Sequence, residues 1–264
     1  GLRLPILSID ASTQSVYHFS DTDKNISLLD ISETFGTYDG SFVLYDNNLD
    51  SWKIYDLEEA TKRIPPESTY KIYDALLGLE SGIITPEHSS MTWNGDAFPF
   101  PSWEADQDLN SAMQNSVNWY FQAIDSQLGI NRVQEFLNKI EYGNQTTSSN
   151  LDLYWSDFSL KISPLEQVTL LKKFNTNEFH LNFQNVFSVK NAIKIASTPN
   201  GNFYGKTGTG RVNGQDINGW FIGYVETSDN SYYFATNIQS DSNATGKKAF
   251  EITSDILKKL HIWN

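Results

Sequence analysis

The stretch from Pro65 to Leu77 constrains this chain most, because it places a serine and a lysine together at the start of a helix. Its two prolines disfavour helical backbone before them. The apolar spacing that follows predicts a helix over 69–79 with Ser68 at its N-terminus. Residues at i and i+3 share one helix face, so Lys71 should lie beside Ser68. A hydroxyl beside an amine at the N–H end of a helix is typical of an activated serine nucleophile.

A serine and a lysine at this spacing also occur by chance, with the serine as a helix cap and the lysine exposed. Three further short motifs favour chemistry instead. In chain order they are Ser116-Val117-Asn118, Tyr142-Gly143-Asn144 and Lys206-Thr207-Gly208. Their order and rough spacing are those of S-x-x-K, S-D-N and K-T-G in serine proteins that recognise penicillin.

The Lys206-Thr207-Gly208 motif falls in a predicted strand, where successive side chains point to opposite faces. Gly208 allows another backbone or a ligand to approach closely, because it has no side chain. This is the property that an acyl-binding edge strand needs. The alternative, a surface lysine before a turn, is weak beside the other motifs.

Composition excludes several other classes of function. The 264 residues are 39% hydrophobic and 14% aromatic, which is enough for a substantial core, and the net charge of -13 argues against nucleic-acid binding. The chain has no cysteine, which excludes thiol catalysis and disulfides. Its four histidines are scattered singly, so no metal is predicted. The sequence contains no run of about 18 apolar residues, so no membrane span is predicted.

The absence of cysteine suits a bacterial protein that works outside the cytoplasm, although it is compatible with a cytosolic protein too. The chain begins with Gly1 rather than methionine. Residues 1–7 are either an artificial leader or the trailing end of a removed signal or membrane helix, and both interpretations stay open.

Strand patterns occur towards both ends of the chain and helix patterns in the middle, which predicts an α+β fold. Predicted strands cover 41–45, 52–55, 203–208, 219–227 and 232–238. Predicted helices cover 108–127 with a possible break near Ser116, 130–140, a segment capped by Ser163 with Glu166 as its capping-box partner, and 249–260. We expect residues 1–38 to form an irregular N-terminal arm, with one short helix near 28–35, and residues 39–264 to form the domain.

The motifs carry a resemblance to a known family. They resemble class D (oxacillinase-type) β-lactamases and, still more closely, the extracellular penicillin-sensor domains of β-lactam-sensing transmembrane receptors. The residues that carry it are 68–73, 116–120, 142–144, Trp155, 206–210 and 219–221. The resemblance covers about 40–260. It implies the penicillin-binding (transpeptidase-like) fold, a five-stranded antiparallel sheet flanked by helices, with the acylated serine at the sheet's edge.

The resemblance also implies roles for single residues. Ser68 would be the nucleophile, and Lys71 the base, working as an N-carboxylated lysine formed with carbon dioxide. Ser116 would relay protons, and Trp155 would hydrogen-bond the carbamate. No other cofactor and no metal is implied.

The resemblance also implies which residues bind the substrate. Lys206, Thr207 and Thr209 would hold the substrate carboxylate, and the N–H groups of Ser68 and Thr209 would form the oxyanion hole. Further substrate contacts are expected from Gly208, Tyr142 and Asn144. Class D enzymes usually place an arginine just before the last helix, whereas this chain has only Lys247 and Lys248 there.

Asn118 distinguishes a sensor from a hydrolase, because class D hydrolases normally have an apolar residue at this position. Carboxylation of Lys71 requires a neutral amine, which an apolar wall favours. An asparagine oxygen instead accepts a hydrogen bond from the ammonium and stabilises the charged form. Without a base after acylation, no group activates the deacylating water, and the acyl-protein persists.

The predicted function is therefore an extracellular β-lactam sensor domain that is acylated at Ser68 and holds the acyl state to signal induction of resistance. Its expected partners are β-lactam antibiotics and a membrane-embedded signalling or protease portion of a full-length receptor, at the extracellular face of a bacterial membrane. The alternative is a class D β-lactamase, secreted or lipid-anchored. Tyr142-Gly143-Asn144 with Trp155 argues against a transpeptidase, and the presence of Ser68 and Lys71 argues against a catalytically dead binding module.

Overall fold

Strand sequences from both ends of the chain pair into one sheet. The computed structural model describes residues 25–148, 150–152 and 154–264, so the part of the predicted arm before residue 25 lies outside the described residues. The described strands are β1 (Ile26–Leu28), β2 (Asp39–Asp46), β3 (Ser51–Tyr55), β4 (Lys194–Thr198), β5 (Gly201–Val212), β6 (Gln215–Glu226) and β7 (Ser231–Gln239). They lie in the order β1-β3-β2-β7-β6-β5-β4. The prediction of an α+β fold with a sheet built from both termini is confirmed.

The prediction of a five-stranded, wholly antiparallel sheet is wrong in its detail. The described part of the chain has seven strands, and β1 pairs parallel with β3. The two additional strands, β1 and β4, are short and lie at the two edges. Neither has a strong apolar pattern of its own. They are strands because a neighbouring strand offers them hydrogen bonds, which local sequence does not report.

The β5–β6 hairpin follows directly from its turn sequence. Asn213 and Gly214 have φ of 51° and 76°, and both positive values are those that a two-residue type I′ hairpin requires. The strands pair in register with Thr209 opposite Gly219, and a register shift occurs between Gly210 and Arg211. The hairpin therefore confirms the predicted antiparallel pairing.

The helices lie on both faces of this sheet. Their bounds are α1 (Ser32–Phe35), α2 (Leu57–Ala60), α3 (Lys71–Glu80), α4 (Leu109–Gln114), α5 (Asn118–Leu128), α6 (Ile130–Ile140), α7 (Pro164–Asn175), α8 (Phe183–Ala192) and α9 (Gly246–Lys259). The predicted helices near 28–35, at 130–140 and near the C-terminus are confirmed, and α8 was not predicted. Ser163 and Glu166 form the predicted capping box of α7.

The helix after the two prolines begins differently from its prediction. A 3-10 turn, Glu67–Tyr70, comes first, and α3 then runs from Lys71. Ser68 lies inside the turn, and no side chain caps either segment. The turn begins at Glu67, one residue before the serine, and Pro66 before it has φ of -73° and ψ of -19°. Ser68 is consequently free to use its hydroxyl elsewhere.

The predicted helix over 108–127 is broken at its serine. Helix α4 ends at Gln114, α5 begins at Asn118, and Ser116 between them has φ of 52°. A non-glycine residue in this left-handed region is uncommon and is held there by its surroundings. The break turns Ser116 and Asn118 towards the same point in the fold.

Two apolar layers hold the sheet between its helices. One face of the sheet packs on α1 and α9 through residues such as Phe42, Phe221 and Phe234. The other face packs on the helical region, which includes the fully buried Ile72 and Trp220. Each such side chain contributes on the order of 1.5–3 kcal/mol when it is fully buried. No helix among residues 25–148, 150–152 and 154–264 is long and apolar enough to cross a membrane.

Glycine at position 143 is expected to contribute strongly to stability. Its φ is 50°, and a Cβ there would lie 1.9 Å from the Lys161 carbonyl oxygen. Gly214 has φ of 76° but open space around it. Gly143→Ala should therefore lower the free energy of unfolding by about 3 kcal/mol, whereas Gly214→Ala should lower it by about 1 kcal/mol. Urea denaturation measures both, and equal losses would contradict the steric argument.

Candidate active site

Ser68 and Lys71 meet as the i, i+3 spacing predicts. Lys71 Nζ donates a hydrogen bond to Ser68 Oγ at 2.7 Å. The Lys71 side chain is fully buried although it carries an amine. A buried amine in contact with a hydroxyl is the arrangement of a base and its nucleophile.

The break between α4 and α5 supplies two further partners for the amine. Lys71 Nζ lies 3.1 Å from Ser116 Oγ and 2.5 Å from Asn118 Oδ1. Together with Ser68, three oxygen acceptors therefore surround the amine. The rings of Phe121 and Trp155 form an apolar wall, with centroids 5.7 and 5.8 Å from Nζ.

A second buried lysine reaches the same point from β5. Lys206 Nζ donates to Ser116 Oγ at 3.1 Å and to the Thr207 carbonyl oxygen at 3.0 Å. Burial lowers the pKa of Lys206 to about 7. Because Ser116 Oγ lies between two amines, it can pass a proton between Lys71 and a group bound near Lys206.

Opposing effects determine the charge of Lys71. Burial lowers the pKa of Lys71 well below its usual value, and the Lys206 charge lowers it further, while Asp74 and Glu67 act in the opposite direction. The oxygen of Asn118 also favours the charged form, since it accepts a hydrogen bond from the amine. Burial thus favours the neutral amine, while the oxygen acceptors around Nζ favour its protonated form.

A buried carboxyl pair lies on the same two helices as Lys71 and Asn118. Asp74 follows Lys71 on α3, Asp125 lies on α5, and both side chains are fully buried. The two carboxyl groups are close enough to hydrogen-bond when one of them is protonated, and Tyr154 Oη donates to Asp125 Oδ2 at 2.8 Å. A hydrogen bond between two carboxyls needs a proton, so the pair holds one. Burial and the neighbouring acid raise the pKa of Asp74 well above its usual value.

Two cavities open at Ser68. One has a volume of about 280 Å³ and is lined in part by Glu67, Trp155 and Arg211. The other has a volume of about 590 Å³ and is lined in part by Ser116, Asn118, Thr207, Gly208 and Thr209. The structure therefore brings most of the predicted site residues to one cleft, with Lys206 behind it.

Strand β5 forms one wall of this cleft, as its motif predicts. A Cβ on Gly208 would lie only 3.2 Å from the Ser68 nitrogen, so glycine allows the strand to approach the nucleophile. Thr209 Oγ1 accepts a hydrogen bond from the Gly246 nitrogen at 2.9 Å, which ties the strand to the start of α9. The backbone beside Ser68 is thereby held rigidly.

Tyr142 and Asn144 do not reach the cleft. Tyr142 is fully buried and packs edge-on against Tyr70 at 5.2 Å between ring centroids. The Asn144 side chain donates to the Ser159 carbonyl at 2.8 Å and accepts from the Lys161 nitrogen at 3.0 Å. Their placement favours a structural role behind the 3-10 turn over the expected contact with substrate.

Sequence reasoning missed two charged residues at the cleft. Arg211 lines both cavities, whereas Lys247 is exposed and Lys248 pairs with Glu251 at 3.9 Å. Glu67 is buried directly before the nucleophile. Arg211 could have been found, since it follows the K-T-G motif on the same strand; Glu67 could not, because burial of a single acid has no signature in sequence.

The pocket around Lys71 fits a carbon dioxide adduct chemically. Such an adduct needs a neutral amine and hydrogen-bond donors for its oxygens. Burial favours the neutral amine. The hydroxyls of Ser68 and Ser116 lie within 3.1 Å of Nζ, and the indole of Trp155 lies in the wall. No group of three or more potential metal-ligating side chains occurs in the described part of the chain.

The carboxyl pair should destabilise the protein at high pH. A raised pKa means that the folded protein keeps a proton that the unfolded chain has released, so stability falls as pH rises above about 4. In the Asp74→Asn variant, the asparagine amide donates a hydrogen bond to Asp125, so the pair no longer needs a shared proton. We expect this variant to be more stable than the wild type by about 1–2 kcal/mol at pH 8 and similar to it at pH 4.

Urea denaturation at the two pH values measures this difference. Asp241→Asn at an exposed position is the matched control and should show no gain that depends on pH. If Asp74→Asn is the less stable protein at pH 8, the shared proton is not the dominant property of the pair.

Known proteins share this fold and this set of residues. Residues 40–258 match the family described as penicillin binding protein transpeptidase domain. Over 241 residues the chain is 46% identical to the regulatory protein BlaR1 of Bacillus licheniformis, covering 90% of this chain and 40% of that protein. The chain thus spans less than half the length of this relative.

Solved structures agree with the sequence matches. The C-terminal domain of the Bacillus licheniformis BlaR penicillin-receptor is similar with a TM-score of 0.89 and 45% identity, covering 93% of this chain and all of that one. A class D β-lactamase from Bacillus subtilis is similar with a TM-score of 0.84 and 36% identity, covering 89% of this chain and 97% of the other. These matches confirm the resemblance that the motifs indicated, and the chain belongs to the penicillin-binding protein transpeptidase domain family.

Proposed function

We propose that this protein is a β-lactam sensor domain, which reacts covalently with the antibiotic at Ser68 and releases it slowly. The observation that carries the proposal is the hydrogen bond of 2.5 Å between Lys71 Nζ and Asn118 Oδ1. The name of its similar solved structure, a penicillin-receptor domain, supports the same reading.

Acylation uses groups already in contact. Ser68 Oγ attacks the β-lactam carbonyl carbon, and its proton moves to Lys71, 2.7 Å away. The ring C–N bond then breaks, and the leaving nitrogen takes a proton that Ser116 Oγ delivers from the lysine. The N–H groups of Ser68 and Thr209 would stabilise the oxyanion that forms at the carbonyl oxygen.

The substrate carboxylate would be held at β5. Lys206, Thr207 and Thr209 offer a cation and two hydroxyls on this strand, and Thr207 and Thr209 line the larger cavity. Arg211 adds a second cation at the rim of the cleft, where Lys247 and Lys248 do not line either cavity. The set suits an anionic ligand.

Deacylation needs a base when the antibiotic already fills the cleft. Asn118 Oδ1 then stabilises Lys71 as an ammonium, which cannot take a proton from water. The acyl group stays on Ser68 as a result. A long-lived adduct suits a receptor, because the acylated state must persist while the signal is transmitted.

Carbon dioxide is part of this proposal. In the free protein, an N-carboxylated Lys71 would act as the base for Ser68. Ser116 and Trp155 would orient it by hydrogen bonding. Asn118 sets how readily this form is lost, since its oxygen favours the uncarboxylated lysine.

A class D hydrolase is the second candidate. The 36% identity to the class D β-lactamase from Bacillus subtilis favours it, as do the shared nucleophile and base. The two candidates share the acylation step and differ in how fast the acyl group is released. They also differ in context, because a sensor acts as the extracellular portion of a membrane receptor and the chain matches only 40% of the length of BlaR1.

Penicillin should add to Ser68 in one equivalent and remain for more than a minute. Intact-mass spectrometry over time measures both the adduct and its lifetime. Ser68→Ala should acquire no adduct, whereas Ser188→Ala, on α8 outside the cleft, should behave as the wild type does. Turnover of many molecules a second would identify a hydrolase, and an adduct on Ser68→Ala would exclude Ser68 as the nucleophile.

Replacing Asn118 by valine should shorten the lifetime of the acyl-protein. Valine removes the acceptor and restores an apolar wall, so the carboxylated lysine is favoured; a change of about 1.4 kcal/mol gives roughly tenfold faster deacylation. Asn118→Asp keeps an acceptor at the same place and is the matched control. Its deacylation should be as slow as that of the wild type.

Labelled bicarbonate tests the cause of that change. Asn118→Val should give a stronger carbamate carbon signal than the wild type in nuclear magnetic resonance, and Lys71→Ala should give none. If Asn118→Val deacylates no faster with bicarbonate present, the slow step has another cause than Asn118.

A further inference from the structure

Glu67, the residue before the nucleophile, is a buried acid to which the proposed reaction assigns no role. It is only 5% exposed. Its φ is 53°, in the left-handed region that costs an ordinary residue about 1–2 kcal/mol. Its nitrogen donates to the Trp155 carbonyl at 2.9 Å, which holds the backbone in this conformation. The turn that carries Ser68 therefore depends on how Glu67 is placed.

The Glu67 side chain lies between the Ser68 turn and β5. A Cβ on Gly208 would lie 3.2 Å from Glu67 Cβ, and a Cβ on Gly210 would lie 2.5 Å from Glu67 Oε1. The two glycines thus leave room for this side chain. The proposed oxyanion donors are Ser68 N–H on the turn and Thr209 N–H on β5, so the Glu67 side chain lies between the two segments that carry them.

Among the residues that the structure describes, one weak hydrogen bond to the Glu67 carboxyl is found. Asn218 Nδ2 lies 3.5 Å from Glu67 Oε1 and is shared with the Pro65 carbonyl at 3.0 Å. Burial raises the pKa of Glu67 to about 8, while Asn218 and the charge of Lys71 act against this rise. The carboxyl is therefore mostly neutral at pH 7.

The charges around Glu67 come from two elements, α3 and β5. Lys71 on α3 interacts with it through space, Lys206 on β5 lies beyond Lys71, and Arg211 on β5 shares the cavity that Glu67 lines. Lys206 also titrates near neutral pH. A test must therefore distinguish the effect of Glu67 ionisation from the effect of Lys206 deprotonation.

We propose that Glu67 is a positioning residue for acylation: as a neutral acid it holds the Ser68 turn at its working distance from β5, and its ionisation slows attack on the β-lactam. This inference rests on the proposed acylation of Ser68. The physical reason is that a carboxylate beside the oxyanion hole opposes the negative charge that develops there.

The test measures the second-order rate constant of acylation with a fluorescent penicillin, by stopped flow at pH 7 and pH 9.5. The compared quantity is the ratio of the two rate constants. Glu67→Gln keeps the shape of the side chain but cannot ionise, so its ratio should be at least about threefold smaller than the wild-type ratio. Loss of the Lys206 proton changes the ratio equally in both proteins, so it cancels when the two ratios are compared.

Two further variants make the outcome decisive. Glu59→Gln, at a half-buried acid on α2 away from the cleft, should give the wild-type ratio. Glu67→Gly suits the left-handed backbone and removes the side chain, so it should also reduce the ratio and, in addition, slow acylation at pH 7 because the spacing is lost. It replaces Glu67→Gln if that variant does not fold.

The inference is overturned if the folded Glu67 variants give the wild-type ratio, since ionisation of Glu67 then has no effect on the reaction. It is also overturned if Glu67→Gly acylates as fast as the wild type at pH 7, since the side chain then does not set the spacing. Absence of an adduct in the wild type would instead contradict the proposed function, and mass spectrometry distinguishes that case.

Discussion

Burial of the Lys71 amine is the constraint on which the rest of this site depends. An amine that is buried away from solvent must find its hydrogen-bond partners in the protein. Here three oxygens lie within 3.1 Å of Lys71 Nζ. Those oxygens come from the turn before α3 and from the break between α4 and α5. The unusual backbone of Ser116, with φ of 52°, is explained by this demand.

The same burial places several titratable groups in unusual states. Lys206 and Lys71 share Ser116 as a partner, and the charge of Lys206 disfavours that of Lys71. Asp74 is fully buried on the helix that carries Lys71 and shares its proton with Asp125. Such groups lower stability, and a protein retains them where a reaction needs protons to move.

The chemistry of the site separates two outcomes within one family. Formation of the acyl bond needs a nucleophile, a base and an oxyanion site, all of which the cleft brings together. Removal of the acyl group needs the base to be restored with the ligand bound. In the function that we propose, a single acceptor on Lys71 impairs the second requirement more than the first, so a receptor and a hydrolase can share one structure.

Local sequence alone determined the contact between Ser68 and Lys71, because i and i+3 are neighbours on any helical turn, and it also determined the β5–β6 hairpin. It did not determine the edge strands β1 and β4, which exist only because a neighbouring strand pairs with them. Nor did it place Tyr142 in the core, Arg211 at the cleft or Glu67 against Gly210. Those positions depend on contacts between residues far apart in the chain, such as Lys206 and Ser116, and only the packed tertiary structure brings them together.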